Sequence, residues 1–149
     1  MTSLTYLRLD SVTLGTMHPL WLQYSKLDIS KAYVRSKLLI QRYPLSGSHT
    51  SGAAKSSSCT LCKEDKETVT HFLLHCPSLQ YARNLYLPRI LNITRRLEIS
   101  IDPEIITAII LDSHHLPKYC SKVDYSELDK LCRDMIFKLH RRSTQPESN

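Results

Sequence analysis

Glycine is nearly missing from this chain, with three among 149 residues. A phosphate-cradling loop needs it, because only a residue without Cβ lets successive backbone N–H groups close on an anion, and neither GxGxxG nor GxxxxGK[ST] occurs. Nucleotide binding of those two kinds is excluded. No stretch approaches the ~20 apolar residues that span a bilayer, and the first twenty residues lack a basic head followed by an apolar core. The expected setting is therefore intracellular, nuclear or cytoplasmic, with no membrane partner. Thiols stay reduced there, so clustered cysteines point to metal before disulfide. The glycosylation triplet Asn92-Ile93-Thr94 has no role in that setting.

What is present fits one globular domain: 42% hydrophobic and 23% charged residues, enough to bury a core. Twenty Lys plus Arg against fourteen Asp plus Glu give a net charge of +6. Such a field favours anionic partners, although a basic protein without one satisfies the same balance.

Along the chain, 1–20 forms an N-terminal segment whose loose alternation of Leu7, Leu9, Val12 and Leu14 predicts one or two short strands. A helix is predicted over about 31–42, capped by Ser30, with Tyr33, Val34, Leu38 and Gln41 on one face. Residues 44–58, rich in Ser and Gly, read as a loop. Ser78 should cap a helix of about two turns carrying Leu79, Ala82, Leu85 and Tyr86, with Pro88 as a kink or stop. Asp102, Pro103 and Glu104 make a strong helix start, before a face of Ile105, Ile106, Ile109 and Ile110. The strongest helical pattern begins at Ser126, with Leu128, Leu131, Cys132, Met135 and Leu139 recurring at three and four. The expected organisation is one helical domain over 21–142 and a disordered tail over 143–149.

The segment 59–76, "CTLCKEDKETVTHFLLHC", holds three of five cysteines and two of seven histidines. A structural zinc site takes four soft or borderline ligands, commonly as two pairs. Cys59 and Cys62 supply the first, since two intervening residues let a tight turn aim both sulfurs at one point. The second pair is His71 with Cys76, or His71 with His75. On an ideal helix His71 and His75 share a face, whereas Cys76 points about 140° away from His71. The helix therefore has to end at Cys76, and Pro77 supplies the ending by pushing its predecessor out of helical geometry. We favour Cys59, Cys62, His71 and Cys76, with Thr68 capping the ligand helix and His75 facing solvent. Four protein ligands close the shell, so the Zn2+ is expected to hold the fold and not to catalyse. Glu64, Asp65 and Glu67, beside Lys63 and Lys66, read as a solvated turn.

These residues resemble a known family, the zinc-binding region downstream of the reverse transcriptase in non-LTR retrotransposon polyproteins. The resemblance runs through "HPLW" at 18–21, "KLLIQRYPLSG" at 37–47, "CTLCKEDKETVTHFLLHCPSL" at 59–79 and "AR" at 82–83. It implies the same four ligands, engagement of RNA or DNA, and other parts of a retrotransposon ribonucleoprotein as partners. The Tyr-x-Asp-Asp polymerase signature is absent, so the chain looks like a fragment or stand-alone remnant without polymerase activity.

The expected fold class is mainly α, a small helical domain organised around one structural Cys-Cys-His-Cys zinc site with short N-terminal strands. Its expected function is non-catalytic zinc binding with nucleic-acid contact by flanking basic helices: Lys31, Arg35, Lys37 and Arg42 on the first, and Lys138, Arg141 and Arg142 on the last. Tyr43, Tyr81 or Tyr86 could stack on unpaired bases. The competing readings are a zinc-braced protein-interaction module and a remnant without nucleic-acid binding. Asp112, His114, His115 and Cys120 form a weaker second metal candidate, and Cys132 reads as core packing.

Overall fold

The computed structural model describes residues 26–45, 58–64, 66–117 and 119–145. The N-terminal segment with its expected strands, most of the Ser/Gly-rich loop and residues 146–149 lie outside them. Five α-helices follow in order among these residues: α1 (Lys26–Leu39), α2 (Gln80–Asn84), α3 (Leu87–Arg96), α4 (Pro103–Leu111) and α5 (Lys122–Thr144). Among the described residues, β pairing is limited to one antiparallel bridge between Ser58 and Lys66. The protein is mainly helical, and among those residues no helix is long and apolar enough to cross a membrane.

α5 is the axis of the fold. Its Leu128, Leu131, Cys132, Met135, Ile136 and Leu139 are all buried, the wide stripe that period 3.6 gives a helix covered on several sides. α1, α2, α3 and α4 all pack against it. Ser121, not Ser126, caps it, accepting a hydrogen bond from Asp124 N–H at 3.1 Å, and Ser143 and Thr144 extend it into the expected tail. α4 starts as its sequence predicts, with Asp102 accepting from Glu104 N–H at 2.9 Å and Pro103 in the first turn. Ile106, Ile109 and Ile110 are buried, whereas Ile105 is exposed.

α1 departs from expectation. It begins at Lys26, so Ser30 lies inside it, and its buried face is Ala32, Val34, Arg35, Leu38 and Leu39, with Tyr33 half exposed. A cation occupies the middle of the face because it finds partners there: Arg35 donates to the Ile110 carbonyl at 3.0 Å, Asp129 Oδ1 at 2.6 Å and Ser113 Oγ at 3.1 Å. Burial alone would push Asp129 up, but Arg35, Ser113 and Arg133 hold it below the usual carboxylate range. α3 is a helix that the sequence reading lacked. Pro88 sits in its first turn and starts it, where the missing N–H costs nothing.

Scarce glycine has a visible consequence. Among the described residues, positive φ is taken by Gln41 (57°), Lys63 (61°) and Glu98 (58°). Gln41 and Glu98 close α1 and α3 in the same way. Arg42 N–H reaches the Lys37 carbonyl at 2.8 Å and Ile99 N–H the Thr94 carbonyl at 2.9 Å, bonds that satisfy the last turns.

Candidate metal centre

The first ligand pair rides on a short hairpin-like turn. The Ser58–Lys66 bridge closes its base, and within it Lys63 N–H bonds to the Cys59 carbonyl at 2.9 Å. That tight return needs the left-handed backbone at Lys63. Backbone N–H groups of Leu61 and Cys62 point to the Cys59 sulfur.

The second pair comes from a widened helical turn. Thr68 Oγ1 accepts from His71 N–H at 3.1 Å, as a cap. The segment His71–His75 then becomes π-helical, closed by Cys76 N–H on the His71 carbonyl at 2.8 Å. A turn closed between residues five apart brings Cys76 back above His71, where an α-helix would send it far round the axis. Cys76 itself is out of helical geometry at φ −59° and ψ 117°, as a residue before proline should be. His75 is exposed.

Cys59, Cys62, His71 and Cys76 thus converge, each offering one ligand atom, and those atoms all lie within 4.8 Å of one another. Cys59 Sγ is 3.8 Å from Cys76 Sγ, and Cys62 Sγ is 3.4 Å from His71 Nε2. Three of the four residues are buried and Cys62 is half-buried. Burial pushes the Cys59 thiol up to about 12 and the Cys76 thiol in the same direction, against the pull of nearby backbone N–H groups. The donor set is one that could hold a metal ion.

No family model, curated protein or solved structure matches the chain. The chemistry of the centre therefore has to be read from its own surroundings.

Two neighbours have a role at the centre that the sequence did not assign to them. Glu67, expected in a solvated turn, is 4% exposed, and its Oε2 accepts from Cys59 Sγ at 3.2 Å; Glu64 is exposed as expected. Arg83 is fully buried behind the ligand turn. It donates from Nε to the Leu73 carbonyl at 2.8 Å and from Nη2 to the Cys76 carbonyl at 2.9 Å, and Gln80 Oε1 accepts from its Nη1 at 2.9 Å. A helix that ends in mid-core leaves carbonyls without partners, and Arg83 supplies them. The sequence signal for this role is an arginine seven residues after Cys76, among the buried positions Leu79 and Ala82.

Phe72 and Leu73, between the ligands, lie in the core, with the Phe72 ring 5.3 Å from that of Tyr43. Thr70 Oγ1 meets Thr107 Oγ1 of α4 at 3.2 Å. The centre is thus sewn into the helical body. Among the described residues no second group of this kind forms. Asp112 instead caps the turn after α4, bonding His114 N–H and Nδ1 at 3.1 Å each.

Of the basic residues expected on nucleic acid, Arg35 is withdrawn: it is 1% exposed and fully engaged in the core. Lys31 pairs with Asp134 at 2.8 Å. Lys37 Nζ lies 4.9 Å from the Tyr33 ring centroid, and Arg142 is half-buried. Arg42, Lys138 and Arg141 are exposed. Tyr43 is also withdrawn as a stacking platform, being buried with its hydroxyl 2.8 Å from His140 Nδ1. Tyr81 is exposed and Tyr86 half-buried.

Proposed function

We propose that the chain is a non-catalytic zinc-binding module of a retrotransposon-derived protein, which contacts RNA or DNA through basic surfaces beside a structural zinc site. The convergence of Cys59, Cys62, His71 and Cys76 carries this reading. Zinc bonds of about 2.3 Å to sulfur and about 2.0–2.1 Å to nitrogen put tetrahedral sulfurs about 3.8 Å apart and a sulfur–nitrogen pair about 3.5 Å apart. The observed 3.8 and 3.4 Å match those two edges, and all four donor atoms lie within 4.8 Å of one another, close enough to converge on one ion. Soft thiolates with one imidazole select zinc over the oxygen-seeking cations.

Four protein donors leave no open position for water or substrate, which is why the reading is structural. The nucleic-acid part rests on the net charge of +6, on exposed Arg42, Lys138 and Arg141, and on the resemblance carried by 18–47 and 59–83. The metal segment itself, with acids outnumbering lysines, is the scaffold and not the contact.

The test is a salt titration of binding to single-stranded RNA. About four phosphate contacts predict a roughly fiftyfold loss of affinity between 50 and 200 mM salt. A flat response removes the nucleic-acid part. A second reading, a zinc-braced docking module, is favoured by Ile29 and Tyr33, both about half exposed and one turn apart on α1; a flat response together with capture of a protein partner lost on mutating Tyr33 would establish it.

A further inference from the structure

Lys138 and Arg141, toward the C-terminal end of α5, open onto a cleft of about 230 Å3 between α1, the α2–α3 junction and α5, lined also by Lys31, Tyr86, Asp134 and Phe137. Four of these, Asp134, Phe137, Lys138 and Arg141, fall at i, i+3, i+4 and i+7 of one helix and so share one face. Tyr86 comes from the residue just before α3. The cleft thus combines two aromatic rings with cations.

Its charge is net positive. Asp134 is the one acid in the lining, and it is answered twice, by Lys31 at 2.8 Å and by Lys130 at 2.7 Å. Among the described residues Lys138 and Arg141 form no ion pair, and both are exposed. Two cations with no carboxylate partner among the described residues, one helical turn apart, present donors to an anion from outside. Tyr86 and Phe137 are half-buried and pack on the core. Rings held in this way lose little freedom when a flat group stacks on them.

The size sets what fits. Clefts that enclose whole small molecules run to about 300–1,000 Å3, so this one takes a single planar group while the rest of the ligand stays outside. A ring with an attached anion, repeated along a chain, is the chemistry of a single-stranded nucleic acid. We propose that this cleft is a one-nucleotide subsite, in which an unpaired base stacks against Tyr86 and Phe137 while its flanking phosphates are held by Lys138 and Arg141. The proposal rests on the nucleic-acid reading above and deepens it, because it replaces scattered surface charge with one place on the fold. An acidic polypeptide would satisfy the cations but leave the rings without a partner.

The experiment uses the full-length zinc-loaded chain and fluorescence anisotropy with two labelled probes: a mixed-sequence single-stranded RNA, and a strand of equal length whose sugars carry no bases. The wild-type protein should prefer the RNA by about tenfold, within the range for stacking of one base on an aromatic ring. Tyr86→Leu and Phe137→Leu should each erase most of that preference and leave affinity for the abasic strand unchanged. Lys138→Gln and Arg141→Gln should weaken both probes and lower the slope of log affinity against log salt by about 0.7 each. These two cations are exposed, so their variants remain informative should the leucine variants fail to fold.

RNA binding by the wild type with all four variants unaltered overturns the cleft and leaves the nucleic-acid reading standing. No salt-sensitive RNA binding by the wild type removes both. Displacement of the RNA by polyglutamate of equal charge, as effectively as by unlabelled RNA, also overturns the proposal, since charge without stacking would then explain the site.

Discussion

Two buried arginines do opposite jobs from the ones their charge suggests. Arg83 gives its N–H groups to the Leu73 and Cys76 carbonyls, so it fixes the backbone that aims the fourth ligand. Arg83→Met should cost about 1–3 kcal/mol for each orphaned carbonyl and weaken zinc binding, read as a lower denaturation midpoint and faster loss of zinc to a competing chelator. Arg35 ties α1 to α4 and α5, and its removal would leave the Ile110 carbonyl and Asp129 without it. Arg35→Met should cost about 3–5 kcal/mol, the usual penalty for breaking a buried pair from one side, with no effect on RNA affinity in protein that remains folded. Burial also raises the Cys132 thiol to about 12 from an ordinary 9.0. An acid whose pKa is raised by folding stabilises the fold fully below its unfolded value and loses that contribution as pH climbs through the folded one. Zinc-loaded protein should therefore lose stability between pH 9 and 12, and Cys132→Ala should flatten that part of the decline in denaturation midpoints.

At the scale of the element, the decisive piece is the π-helical turn His71–His75 with Pro77 behind it. Pro77→Ala removes the restriction on Cys76 and lets the turn continue as α-helix, which swings the thiol away from His71. Zinc affinity should fall about tenfold, the lower end for changes just outside the ligand shell, as measured by chelator competition. How much was legible varies by element for physical reasons. α4 could be read because Asp102, Pro103 and Glu104 act locally, through backbone groups within one turn. α3 could not, because a proline both stops and starts helices, and nothing local to Pro88 distinguishes the two. The face of α1 was misread because its centre is a charged residue whose partners lie about 75–94 positions away, a distance no local pattern encodes. The four-residue metal cluster was legible from ligand spacing and Pro77, whereas Glu67 and Arg83 entered only with the packing. Gln41 and Glu98 close helices where glycine is usual. Gln41→Gly and Glu98→Gly should each raise stability by up to about 1 kcal/mol in equilibrium denaturation.

Over the whole molecule, the metal segment and the helical core are one body. Cys59, Phe72, Leu73 and Cys76 belong to the same buried cluster as Leu38, Ile110 and Met135. Among its described residues the segment 59–76 has little regular structure of its own, one bridge and one turn, so an ion bound there would substitute for the ladder it lacks. Structural zinc contributes an apparent ~10–16 kcal/mol in finger peptides, against a net stability of about 5–15 kcal/mol for ordinary domains. On the zinc reading proposed above, removing the ion should abolish cooperative folding and not merely loosen one loop. The central claim is that one ion, held by three sulfurs and one nitrogen, organises this body. X-ray absorption at the zinc edge of protein purified without added metal tests it most directly. The account predicts one zinc per chain with three sulfurs at about 2.3 Å and one nitrogen at about 2.0–2.1 Å. Protein without zinc, or zinc with an oxygen from water in its first shell, would contradict it.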